Sequence, residues 1–260
     1  MQNIKSIIIS MIFLVGVTPN TFAQEITTNI LTRVFLIKYG NTFGSSFTIE
    51  VDDKQYLITA KHVVRGIKNG DNIEIMQNNN WQSLPVKLIE VKPDELDITV
   101  LVLPKQLSPT FPIEATSTGL VLAQNMYFLG FPYGLQMEGR TLNSGFPLPL
   151  VKQGICSAII NIKDGLTILL LDGFNNTGFS GGPIVFTDQK SRSLKIAGVV
   201  SGFRTNIDKV IRPGDKSKGE PEQIDTGNLV LTNSGIVIGH DIDPVIQVIK
   251  RNPIGTVVSK

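Results

Sequence analysis

Twelve short apolar runs, bounded by Gly, Pro, Asn, Asp or Ser and almost free of helical repeat, constrain this chain more than any other feature. Six of them fall at 29–38, 44–51, 55–60, 72–77, 84–91 and 98–103. A second six follow at 121–129, 151–162, 166–171, 182–186, 194–204 and 228–239. Between the sets lies 105–120, which carries Pro109 and Pro112 among Ser and Thr residues and reads as a connector. Runs of this length without interleaved helices predict an all-β chain. The exception is 241–252, where Asp243-Pro244 starts a helix, Val245, Ile246, Val248 and Ile249 give it an apolar face, and Pro253 stops it. Eight or so residues do not hold a helix in water alone, so it is expected to dock on the second β unit. The polar, basic stretch from Arg204 to Gln223 reads as a solvated loop, with a flap beside the functional site as the alternative.

The first 23 residues have the form of a secretory signal: Lys5, an apolar stretch from Ile7 to Val17 too short to span a bilayer comfortably, and small residues up to Ala23. Export is therefore expected, to the periplasm or the outside, with no membrane contact after cleavage. Removal after Ala23 leaves 237 residues with a net charge of +1, a balance that argues against nucleic acid as a partner. A single cysteine, Cys156, leaves no internal disulfide, so the core must stabilise this exported chain. Cys156 sits in a strand pattern and reads as a small buried hydrophobe.

Within 177–185 the order Thr-Gly-Phe-Ser-Gly-Gly-Pro-Ile-Val surrounds one serine with glycines. Such a loop builds little core, but it holds a hydroxyl in the open and lets main-chain N–H groups approach a ligand closely. Acyl transfer needs both: an attacking oxygen at Ser180 and backbone donors for the oxyanion. A serine hydroxyl also needs a base, and the chain holds two histidines, His62 and His240. His62 ends the apolar run 56–60. An imidazole base needs an orienting carboxylate, and Asp97, at the mouth of the run 98–103, suits that role better than Asp94 or Glu95 in their exposed turn. Nothing in this chemistry calls for a metal or a cofactor.

His62, Asp97 and Ser180, in that order, resemble the trypsin-like serine proteases of chymotrypsin fold, and in particular their disulfide-free, HtrA-like bacterial branch, here without a PDZ domain. The motifs that carry the resemblance are 58–64 (Ile-Thr-Ala-Lys-His-Val-Val), 97–101 (Asp-Ile-Thr-Val-Leu), 128–134 (Phe-Leu-Gly-Phe-Pro-Tyr-Gly), 154–158 (Gly-Ile-Cys-Ser-Ala) and the serine loop. The likeness runs over roughly 28–252. It implies two six-stranded antiparallel β-barrels, at 24–104 and 121–240, followed by the C-terminal helix. It implies Ser180 as nucleophile, His62 as base, Asp97 as its orienter, and the N–H groups of Gly178 and Ser180 as oxyanion hole. A polypeptide substrate would pair with the edge Val199-Val200-Ser201. Phe174 would lie at the base of the primary pocket, with Val199 to Phe203 along its wall. Neither Phe174 nor Phe203 is acidic, which predicts cleavage after small or medium apolar residues; Asp172 or Asp208 would have to reach the pocket for Arg or Lys to be accepted. One departure is Phe179, where the family usually has Asn or Asp.

Two other readings compete. Residues 178–182 also fit the Gly-x-Ser-x-Gly elbow of α/β-hydrolases, which would take His240 as base and demand a helix straight after the serine. The third reading is a trypsin-like fold that binds peptides without cutting them.

Overall fold

The computed structural model describes residues 26–163 and 165–259; the signal-like segment and its cleavage position lie outside them. Among the described residues, no helix is long and apolar enough to cross a membrane. After a single helical turn, α1 (Thr28–Leu31), seven strands follow: β1 (Val34–Tyr39), β2 (Thr42–Val51), β3 (Lys54–Thr59), β4 (Asn72–Gln77), β5 (Asn80–Pro85), β6 (Lys87–Ile89) and β7 (Thr99–Val102). They form one antiparallel sheet in the order β5-β4-β1-β2-β3-β7-β6. The remaining long strands are β8 (Asn125–Gly130), β9 (Leu150–Asn161), β10 (Thr167–Asp172), β11 (Pro183–Thr187), β12 (Leu194–Pro213) and β13 (Gln223–Asp241). These six close into a barrel, β10-β13-β12-β11-β8-β9. Helix α2 (Asp243–Arg251) and a short β14 (Thr256–Val257) complete the chain, and β14 pairs with β3 in the first sheet.

The second unit thus has its expected six strands, while the first has eight. The unexpected β5 arises from a turn. Asn78 and Asn79 sit at φ of 51° and 58°, the two-residue geometry that folds a strand back on its neighbour. Every residue of β5 but Leu84 is exposed, so no alternation marks it in the sequence. Asp52 and Asp53, at 51° and 58°, turn β2 into β3 in the same way.

One apolar cluster spans both units. Val34, Phe47 and Ile58 of the first sheet pack in it with Leu129, Val185 and Val199 of the barrel. Helix α2 inserts Val245 and Ile249 into this shared core and lies against β2, rather than on the second barrel alone. The connector is also tied down. Ser108 and Ile113 are buried, and the Glu114 carbonyl accepts from the Ile196 N–H at 2.9 Å. Cys156 is buried, as its place in β9 suggests.

The stretch from Arg204 to Gln223 is only partly a loop: residues up to Pro213 belong to β12, and 214–222 turn at the tip before β13. Strands β12 and β13 leave the barrel as a two-stranded arm, with Thr205 opposite Asn233 and Pro213 opposite Gln223. Its tip is closed by ion pairs of Lys209 with Asp225 and Arg212 with Glu220. A ribbon solvated on both faces carries charge at many positions, which is why the sequence reads as a loop.

Asp241 caps α2 from below, its carboxylate accepting from the Asp243 N–H at 3.0 Å. Burial pushes this carboxyl up to about 6, against the partial relief of that hydrogen bond. Between the ordinary carboxylate value of about 4 and about 6, the folded chain keeps a proton that the unfolded chain has lost. Stability therefore falls as pH rises through that window. Asp241→Asn keeps a carbonyl acceptor for the cap and removes the buried charge. The variant should be about 1–3 kcal/mol more stable than the parent near pH 7.5 in urea unfolding, with the gain vanishing near pH 4. An equal gain at both pH values would show that the carboxylate's ionisation is not the cause.

Candidate active site

The serine loop crosses from β10 to β11 at the junction of the two units, and its backbone is held from behind. The Thr177 carbonyl accepts from the Tyr133 N–H and the Phe179 carbonyl from the Gly182 N–H, both at 2.8 Å. A trans peptide points its N–H away from its C=O. The N–H groups of Gly178 and Ser180 are therefore turned outward, and among the described residues neither donates a hydrogen bond. Two adjacent unpaired donors beside a serine hydroxyl form a site for an oxyanion. Gly178 holds φ of +108°, and a Cβ there would collide with the Phe131 carbonyl; Gly181, at +85°, has no room beside the Ser45 carbonyl.

Ser45, fully buried in β2 of the first sheet, fixes this loop at two points and the turn after β8 at a third. Its N–H donates to the Ser180 carbonyl at 2.8 Å, and its hydroxyl donates to the Gly178 carbonyl at 2.7 Å and accepts from the Phe131 N–H at 3.0 Å. Phe179 turns inward. Its ring is wholly buried and meets Phe128 edge-on at 5.1 Å in the barrel core. Where the resemblance leads one to expect a polar residue bracing the loop, this chain braces it by apolar packing.

His62 lies in the turn that follows β3, half-buried, and Asp97 lies just before β7 between the buried Leu96 and Ile98. The two meet closely: His62 Nδ1 is 2.7 Å from Asp97 Oδ2, and the His62 N–H donates to Oδ1 at 3.0 Å. Ser201, on β12, donates its hydroxyl to Asp97 Oδ2 at 2.6 Å. Burial would push the Asp97 carboxyl up, but the hydrogen bonds from His62 and Ser201 outweigh it and hold the group below the usual carboxylate range. Asp97 is thus ionised at neutral pH and fixes the imidazole with Nδ1 toward itself, leaving Nε2 free to accept. Asp94 stays outside, 79 % exposed and paired with Lys92.

Ser180 is half-buried, and its hydroxyl donates to the Ser201 carbonyl at 3.1 Å rather than to His62. Ser201 therefore touches both the candidate nucleophile and the candidate acid. His240 is buried on β13 opposite Val199, its Nδ1 without a partner, and burial lowers its pKa. It makes no hydrogen bond to Ser180. The residues after Ser180 run into β11, a strand, so the helix that an α/β-hydrolase elbow requires is absent and that reading falls.

A cavity of about 260 Å³ opens beside the serine loop, lined by Phe174, Asn175, Phe203, Leu231 and Asn233 among others. Phe174 stands at its wall, 55 % exposed, under the Lys152 ammonium, which donates to the Phe174 carbonyl at 2.6 Å and the Asn176 side chain at 2.5 Å. Asp172 does not line the cavity, and Asp208 is held on the arm by Thr232 and Asn206. Val199 and Val200 are not an open edge: Val199 pairs with both Pro183 and His240, and Val200 exchanges hydrogen bonds with Gly181 and Gly182. The free edge of β12 begins at Ser201, where β11 ends its cover.

A family model for the trypsin-like peptidase domain matches residues 44–192. No curated protein matches the chain. Among solved structures, a serine-to-alanine form of the HtrA-type protease AlgW with a tripeptide shares 18 % identity at a TM-score of 0.55, covering 86 % of this chain and 60 % of that one. The serine endoprotease from Yersinia pestis shares 20 % identity at 0.51, covering 86 % and 63 %. A Mycobacterium tuberculosis protease in an inactive form shares 16 % at 0.52, covering 85 % and 89 %. This chain thus spans less than two thirds of the first and second of these. The likeness at such identities concerns the fold.

Ser45→Ala leaves the Gly178 carbonyl and the Phe131 N–H without their buried partner. It should cost about 1–3 kcal/mol in denaturant unfolding. Phe179→Asn, which restores the family's usual polarity, should destabilise rather than help, by about 3 kcal/mol or more, because it empties a ring-sized space and buries an amide. A neutral result for Phe179→Asn would mean that the loop is not held by the Phe128 contact.

Proposed function

Since the chain belongs to the trypsin-like peptidase domain family, we propose that it is an exported serine endopeptidase that works through His62, Asp97 and Ser180. The observation that carries this reading is the pair of outward, unpaired N–H groups at Gly178 and Ser180 set beside a serine and an Asp97-bound imidazole. On this reading Ser180 Oγ leaves the Ser201 carbonyl by rotation about its Cα–Cβ bond and attacks the substrate carbonyl. His62 Nε2 takes its proton, and the new C–O bond turns the carbonyl oxygen into an oxyanion between the two N–H groups. His62 then gives the proton to the leaving amine, and water hydrolyses the acyl-enzyme by the same steps in reverse order of partners. Asp97 stays ionised throughout and stabilises the imidazolium.

The substrate is a polypeptide whose backbone adds to the open edge at Ser201–Phe203 as an extra strand. The side chain before the cut bond enters the cavity between Phe174 and Phe203. With no acid on that lining, an apolar residue such as Ala, Val or Leu is favoured there over Arg or Lys. The apolar segment Ile7–Val17 and the small residues up to Ala23 support export.

The hydrogen bond from Ser180 to Ser201 favours a second reading, a fold that binds peptides without cutting them. A fluorophosphonate probe separates the two: covalent labelling of the mature protein that is lost in Ser180→Ala and His62→Ala supports the peptidase. Absence of labelling supports the binder.

His62→Ala and Ser180→Ala should each abolish peptide hydrolysis, and Asp97→Asn should lower kcat by something on the order of 10⁴-fold, while His240→Ala and changes at Asp94 or Glu95 leave turnover largely intact. Loss of activity in His240→Ala with retention in His62→Ala would overturn the assignment. Cleavage profiled on a peptide library should favour apolar residues before the cut bond; dominance of Arg or Lys would refute the cavity argument.

A further inference from the structure

Strand β12 runs well beyond the last residue that β11 covers. From Ser201 to Pro213 its outer edge pairs with no strand among the described residues. Which groups face that edge follows from two side-chain contacts. From the β13 side, Ser234 Oγ donates to the Arg204 carbonyl and Thr226 Oγ1 to the Val210 carbonyl. Backbone direction alternates along a strand, so Phe203, Thr205, Ile207, Lys209 and Ile211 turn their N–H and C=O groups outward. The row has no interruption on β12 itself, because the extra residues at the irregularities beyond Phe203 fall on β13.

One arm face carries an unburied apolar patch, with Thr205 and Asn233 before it and the Lys209–Asp225 pair beyond. Ile207 lies directly opposite Leu231, and Leu229 follows two residues along on the same face; they are 63 %, 70 % and 65 % exposed. Leu231 also lines the cavity with Phe203 and Phe174, so the apolar face is continuous with the primary pocket. The arm's charges cancel in the pairs Lys209–Asp225, Arg212–Glu220 and Lys218–Asp215, which leaves little to select a charged partner.

We propose that the open edge of β12 from Phe203 to Ile211 is an extended docking strand for the substrate chain upstream of the cut bond, selecting long, unfolded, apolar segments over short or folded ones. The proposal rests on the peptidase reading and deepens it. Nine residues from 203 to 211, at about 3.3 Å each, offer an edge of roughly 30 Å. A peptide seated at Ser201–Phe203 continues onto it without a change of direction, pairing with the outward groups of alternate residues and laying its own alternate side chains on Ile207, Leu229 and Leu231. An edge of this kind gives affinity through the main chain and selectivity through the side chains.

The test uses fluorogenic peptides with one fixed apolar tripeptide before the cut bond, extended upstream by none, two, four or six alternating Val and Thr residues. Two variants accompany the intact protein. One replaces residues 208–230 with Asn-Gly, so that Ile207 and Leu231 become the last pair of a two-residue hairpin and the cavity lining is kept. The other is Ile207→Pro, which removes an outward N–H from an edge where proline is tolerated. For the intact protein kcat/KM should rise at least roughly tenfold from the shortest to the longest peptide, while both variants cleave the tripeptide normally and show a flat profile. A flat profile in the intact protein, or an unchanged rise in the variants, overturns the proposal. Should the tripeptide not be cleaved by any form, the peptidase reading has failed, and the arm is judged by anisotropy of a labelled nonapeptide. Tighter binding to the intact protein than to the variants upholds the docking strand, and equal binding refutes it. An intact protein that is oligomeric and becomes monomeric on arm removal would show that a second copy, not substrate, occupies the edge, and would overturn it as well.

Discussion

Ser45 sits with no access to solvent where the two sheets meet, and two hydrogen bonds of its hydroxyl with one of its backbone N–H decide where the serine loop can be. It belongs to the first sheet, while the groups that it holds belong to the second unit. Neither sheet could slide against the other without leaving buried polar groups unpaired, at a cost of about 1–3 kcal/mol each. The shared apolar core resists the same motion more diffusely, since Phe47 and Val199 pack in one cluster. Apolar packing sets the distance between the sheets, and Ser45 sets the register. Two outward N–H groups at the loop are the consequence.

Charge is handled by the same division of labour. Asp97 comes from the first unit and Ser201 from the second, and donors from both sides converge on the carboxylate and favour its ionised form. An isolated carboxylate at that depth would be pushed toward neutrality. His240 shows the opposite case: buried with an unpartnered Nδ1, it is kept neutral by the same kind of surroundings.

Much of this was legible in the chain. The triad candidates announce themselves because His62 follows one apolar run, Asp97 opens another, and the glycines around Ser180 have no use in a core. The strand pattern in β2, β3, β9 and β10 is clear because β-branched residues alternate or cluster there. Other parts carry no local signal. A serine inside an apolar strand looks incidental until its partners, 86 and 133 residues away, are known. The Ser201 hydroxyl meets Asp97 across 104 residues, and the sequence suggests only its backbone role. Strand β5 lacks a buried face, and the arm is wetted on both sides, so neither shows the periodicity that burial imposes. Phe179 looks like a defect beside the family's usual Asn or Asp, because its compensation by Phe128 exists only in three dimensions.

The pairing of β14 with β3 sets the order in which the protein can be finished. Gly255 and Tyr56, which bond at this edge, are 199 residues apart along the chain. At a synthesis rate of about 5–20 residues per second, roughly ten to forty seconds separate their appearance. Throughout that interval the groups that Lys54 and Gln55 later offer to Val257 and Thr256 have no partner. An unpaired strand edge is a template for other chains. The half of the molecule that is made first is completed by a strand made much later, and a nascent chain that stayed unfolded until β14 emerged would avoid exposing an ordered but unfinished sheet.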